Sequence, residues 1–147
     1  MWYLYPLVVI AGIAAAIQPG QNATLGRSLE QPLFAGIVSF ATSLLVFVAI
    51  MAATGRLSLP SATQLAEAPW WAWFSGVLGC GVILTQIFIA EKVGAAVHLS
   101  LVVTAGACTS ILLDHYGLAG FDPHPASLWR LLGGALMVAG VILVAVF

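Results

Sequence analysis

Five stretches of this chain are long and apolar enough to cross a lipid bilayer, and little lies between them. A spanning helix needs about 20 mostly apolar residues, because the hydrocarbon core is about 30 Å thick and a helix rises about 1.5 Å per residue. Residues 33–54, 71–90, 95–113 and 128–147 meet that requirement, and so does a first stretch that starts at Trp2 and runs to at least Ile17, within a segment bounded by residues 2–29. The reading is of one transmembrane domain over 1–147, all-α, with five transmembrane helices per protomer. Composition closes off a water-soluble fold. Charged residues are 6% of the chain and hydrophobic residues 62%, whereas soluble domains carry about 25% charged residues.

The same scarcity of charge excludes several functions. The net charge is -1 and no basic run is present, so the electrostatic drive for nucleic-acid binding is missing. No Gly-rich phosphate loop occurs, and neither enzyme chemistry nor a cofactor is expected. Cys80 and Cys108 lie inside apolar stretches and read as small buried hydrophobes. His115, His124, Asp114 and Asp122 share a loop, but the fragment reads as a helix end and turn; no metal site is expected. The first apolar stretch has no Lys or Arg ahead of it, unlike most secretory signals, and is read as a retained span.

The breaks between spans have turn chemistry. Glu30, Gln31 and Pro32 form the first, Gly55 to Pro69 the second, Glu91 to Gly94 the third, and Asp114 to Ser127, with two glycines and two prolines, the fourth. Trp2, Tyr3, Tyr5, Trp70, Trp71, Trp73, Phe74 and Trp129 fall where spans enter the membrane. Aromatic residues collect at that headgroup level.

Orientation should follow Lys and Arg in short loops. With five spans, Arg56 and Arg130 lie on the side of the N-terminus, and Arg27 and Lys92 on the other. The split is even, so the chain carries no bias. A protein that inserts both ways can form an antiparallel homodimer, and two such protomers reproduce a ten-helix inverted repeat. Many secondary transporters have that architecture, with the binding site near the midplane. A separate, oppositely oriented homologue is the competing partner.

Polar side chains in a membrane helix normally face the bundle interior or a cavity. Ala11, Ala14, Ala15, Gln18 and Asn22 fall on one face of the first helix. Pro19 leaves two readings open. Either the helix ends at Pro19-Gly20, or it continues with a kink and a freed carbonyl at Ala15. Gly36, Ser39 and Ser43 share a face of the second helix, and Ser75, Gly79 and Gln86 one of the third. His98, Val102, Ala105 and Thr109 share one of the fourth. Gln86 stands out because a buried primary amide needs partners. His98 is the one titratable side chain clearly within a span. The fifth helix is apolar from Leu131 onward and reads as peripheral or dimer-forming.

Several blocks together carry a family pattern. They are Gln18, Asn22, Leu25, Gly26 and Arg27, then Pro32, Leu33, Ser39 and Phe40; Pro69-Trp70-Trp71-Ala72-Trp73 with Gly76 and Gly79; Val93-Gly94-Ala95-Ala96; and Leu112-Leu113-Asp114-His115-Tyr116-Gly117, followed by Trp129, Arg130 and Gly133. In their order and spacing, over almost the whole chain, they resemble the YdcZ-like bacterial membrane proteins, a family of the drug/metabolite transporter superfamily. The resemblance implies five helices in a multi-pass protein of the bacterial inner membrane, and two protomers paired in opposite orientations. It also implies a first helix that continues to near Leu29. One position departs from the pattern. Members usually carry Gln in the fourth helix, eight residues before the Asp at its end; here it is Gly106, so a site that used that amide is altered.

The expected function is small-molecule secondary transport by alternating access, in an antiparallel dimer embedded in the lipid bilayer. The expected lining is Gln18, Asn22, Ser39, Trp73, Gln86 and His98. Gln18 and Asn22 would bond the polar part of a substrate, and Trp73 would cover its apolar part. The alternatives are a dual-topology ion channel and a non-transporting membrane subunit of a larger complex.

Overall fold

A computed structural model describes residues 4–147, and among these it contains seven α-helices and no strand. In chain order they are α1 (Tyr5–Ser28), α2 (Pro32–Ala53), α3 (Ala62–Glu67), α4 (Ser75–Phe88), α5 (Ala90–Val93), α6 (Ala95–Tyr116) and α7 (Leu128–Val146). A 3-10 turn over Trp70–Phe74 leads into α4. The expected aromatic anchors Trp2 and Tyr3 lie outside the described residues.

Four segments among the described residues are long and apolar enough to cross a membrane: α2, the continuous stretch Trp70–Phe88, α6 and α7. α1 is different. It is the longest helix, at 24 residues, yet Gln18, Gln21, Asn22, Thr24, Arg27 and Ser28 crowd its second half. Length qualifies it as a span and composition does not. It runs unbroken through Pro19 and Gly20, which resolves the choice left open at that proline. Pro19 has no N–H to donate to the Ala15 carbonyl, and its ring is buried rather than turned outward.

The short elements depart from the sequence reading in informative ways. Pro32 is the first residue of α2 rather than part of the break, a position where its missing N–H costs nothing. The Gly55 to Pro69 connection holds α3, opened by a capping box in which Ser61 Oγ accepts from the Gln64 N–H and the Ser61 N–H donates to Gln64 Oε1. α6 extends to Tyr116, three residues past the expected end.

Gly117 stops α6 in the left-handed conformation, with φ +62°. The following loop then folds back onto the helix. The His124 N–H donates to the Asp114 carbonyl (2.7 Å), and the Ala126 N–H donates to His115 Nδ1 (3.1 Å). Arg130 joins the Asp114 carboxylate (3.0 Å) to the His124 carbonyl (3.3 Å). A Cβ at Gly117 would lie 2.8 Å from Pro123 Cγ. Gly117→Ala therefore meets both a left-handed backbone and a clash. It is expected to destabilise the protein by about 1–2 kcal/mol from the backbone alone, with more from the displaced proline, seen as a lower melting temperature in detergent.

The chain divides into two compact units, Ile17–Lys92, and Val93–Phe147 together with the start of α1. In the first, α2 packs against α4, and Ala35, Ile83 and Ile87 form the core with Leu25 of α1 against it. Gly26 sets how closely α1 approaches: a Cβ there would sit 3.3 Å from Pro32 Cα and 3.7 Å from both Ala35 and Ile87. In the second unit, α6 packs on α7, where Gly134 faces Ile111 and Cys108. His98, Thr104 and Val141 are buried. The inward face of α6 thus runs through Thr104 and Cys108. Of the four residues expected to share that face, His98 is buried while Val102, Ala105 and Thr109 are exposed.

Candidate functional site

Three polar side chains from three helices meet inside the Ile17–Lys92 unit. Asn22 of α1 is at the centre, 5% exposed. Ser39 of α2 donates its hydroxyl to Asn22 Oδ1 at 2.6 Å, and Asn22 Nδ2 donates to Gln86 Oε1 of α4 at 2.6 Å. Gln86 is 6% exposed. The local sequence explains the meeting. Pro19, Asn22, Ala23 and Gly26 form the buried stripe of α1, at helical spacing. Their small size brings the backbone close enough for a short Asn side chain to reach two neighbouring helices. In hydrocarbon an unpaired amide is costly, so the three groups hold the helices in one register.

The arrangement carries no charge and no titratable group. Asn22 spends one N–H and one lone pair within the triad; Gln86 takes part through its carbonyl. The Gln86 NH2 group has two donors and the Asn22 NH2 group one more. Such a cluster can recognise an uncharged or acceptor-bearing polar group by hydrogen bonding. It cannot itself carry a coupling proton.

The other expected lining residues are placed differently. Gln18 is exposed although it is one turn from Asn22. Trp73 is 60% exposed on the 3-10 turn, beside Trp70 and Phe74, whose rings meet edge to face at 6.1 Å. Both are outside the triad. His98 is 6% exposed and belongs to the other compact unit. Ser43 and Thr42 bond backbone carbonyls of their own helix, the usual role of hydroxyls there. Position 106 is exposed, and a Cβ there would meet nothing within 4 Å. The buried Pro19, Ala23 and Gly26 were not singled out from sequence as one stripe, although their spacing around Asn22 was readable.

Among the described residues, two ion pairs fasten helix ends. Arg27 at the end of α1 pairs with Glu91 of α5 at 2.9 Å, and Arg130 of α7 with Asp114 of α6 at 3.0 Å. Arg27 and Glu91 are largely exposed, so their pair contributes little on its own, about 0–1 kcal/mol.

Apolar helices of spanning length, with polar groups gathered between them, define a multi-pass helical membrane protein. The chain belongs to the family described as "Putative inner membrane exporter, YdcZ", whose model matches residues 3–143. The protein is therefore a multi-pass protein of the inner membrane, in a family whose description is that of an exporter. No curated protein and no solved structure matches the chain.

Proposed function

We propose that the chain is half of a small-molecule exporter, completed by a second copy in the opposite orientation and working by alternating access. The observation that carries this reading is the Asn22–Ser39–Gln86 triad, a buried uncharged hydrogen-bonding centre joining three helices. Substrate would bind there by exchanging hydrogen bonds with the two amides. α1 serves as the fifth span. At about 1.5 Å per residue its 24 residues exceed the hydrocarbon thickness, and Asn22, its most deeply buried polar residue, faces protein.

The charge distribution supports pairing in opposite orientations. With five spans, ion pairing engages one arginine on each side, Arg27 and Arg130. Arg56 and Lys92 remain, one per side, so the balance survives folding. An oppositely oriented homologue would meet the same requirement.

A stability screen tests the function. The purified protein is melted in the presence of neutral, cationic and anionic small polar compounds, and any compound that raises the melting temperature is then followed in proteoliposomes. Saturable flux supports the reading. Flux that never saturates and runs at channel rates would replace it with a pore.

A further inference from the structure

The triad has a direction. Ser39 Oγ donates to Asn22 Oδ1 and Asn22 Nδ2 donates to Gln86 Oε1, both at 2.6 Å, so the bonds run from α2 through α1 to α4. The first distance supports that direction. O–H···O bonds span about 2.5–3.0 Å and N–H···O bonds about 2.7–3.2 Å. A separation of 2.6 Å therefore suits the Ser39 hydroxyl meeting a carbonyl oxygen rather than an amide nitrogen. Both amide carbonyls act as acceptors within the triad, and the chain of bonds ends on the Gln86 NH2 group with its two N–H donors. Gln86 is 6% exposed, yet no group among the described residues accepts from its Nε2. Nor is that nitrogen fully enclosed by protein. Nothing in the triad favours a cation. It holds no carboxylate, and Glu91, the next acid along the chain from Gln86, is held by Arg27 at 2.9 Å.

We propose that Gln86 is the specificity-determining residue of the triad, and that its NH2 group binds an acceptor oxygen of the substrate, a carbonyl or a carboxylate. The proposal rests on the reading of the triad as the substrate site and narrows the substrate class. An ammonium or guanidinium group only donates, so it would meet N–H groups there and gain no bond. Ser39 and Asn22 are positioning residues. Ser39 fixes which way the Asn22 amide is turned, and Asn22 in turn fixes the Gln86 amide, leaving its donors directed away from the triad. With both amides turned over, Gln86 would present its carbonyl instead and would read a donor. The choice between acceptor and donor substrates therefore lies in one side-chain orientation.

Three probes that share a phenyl ring and differ in their polar end test it: N,N-dimethylbenzamide, benzoate and benzylammonium. Each is titrated into the full chain in lipid nanodiscs, with isotope-labelled glutamine, and followed by NMR of the side-chain amides and by melting temperature. The Gln86 NH2 signal, assigned by its loss in Gln86→Glu or Gln86→Met, should move with dimethylbenzamide or benzoate and stay in place with benzylammonium. A stronger response to dimethylbenzamide identifies a neutral carbonyl as the preferred group, and a stronger response to benzoate a carboxylate. Gln86→Glu keeps an oxygen to accept from Asn22 and replaces the donors by a second oxygen. It should weaken binding of the acceptor probes by at least about tenfold and admit benzylammonium. Where that variant does not fold, the ranking of probes on the unsubstituted protein decides. Benzylammonium binding in preference, with the Gln86 signal moving, overturns the donor assignment and leaves the site. An acceptor probe that binds without moving the Gln86 signal removes Gln86 from recognition. No binding by any of the three sinks the proposal, while the triad itself is judged separately by the flux of Asn22→Ala.

Discussion

Replacing Asn22 by alanine is expected to abolish transport, lowering flux by about two orders of magnitude. The side chain accepts from Ser39 and donates to Gln86, both at 2.6 Å. Its removal deletes two hydrogen bonds and leaves a second amide buried without that partner. Each such loss costs about 1–3 kcal/mol, which corresponds to roughly 10–100-fold. Gln86→Ala should behave alike. Ser39→Ala should be milder, because the Asn22–Gln86 bond remains. Melting curves separate structural damage from lost recognition: a folded variant that no longer shifts on adding a stabilising compound has lost the site. Full flux in both Asn22→Ala and Gln86→Ala would remove the triad from the transport path.

The second large effect concerns orientation. Ser58→Lys with Thr63→Lys adds two positive charges to the loop that holds Arg56. Gln31→Lys with Arg56→Gln shifts the balance the other way. Each change is at an exposed position in a connection between spans. Each protein alone should insert in a single orientation and lose transport. Expressed together, the two should restore it. The check is a growth or flux assay with each variant alone and with both, beside reporter fusions that read the location of the C-terminus. Full activity from either variant alone, with orientation shown to be fixed, would falsify the antiparallel arrangement.

Much of this was readable in the residues. Periods of about 20 apolar positions, broken by Pro, Gly and charge, mark α2, α4, α6 and α7 to within a few residues. Asn22 and Gln86 stood out because an amide is expensive in hydrocarbon. The six-residue α3 carries no apolar period to announce it, although Ser61 and Gln64 stand at capping-box spacing. Gln18 shows where the period itself is insufficient. It lies four residues from Asn22, about 40° around the helix, so spacing assigns both to one face. The edge of the buried stripe falls between them, and its place depends on neighbouring helices.

By itself, then, the sequence determined the solvent of this protein, four of its apolar spans, the balance of charge and the family. Each of these depends on local composition or short-range order along one strand of chain. Tertiary structure alone decided that Asn22 meets Gln86, 64 residues away, that Ser39 closes the triad, and that α1 turns Gln21 outward. Those outcomes follow from how Gly26, Pro32, Ala35 and Ile87 fit together. A hydrogen bond between distant residues is set by the distance at which backbones can pack, and no period in one helix encodes the shape of another.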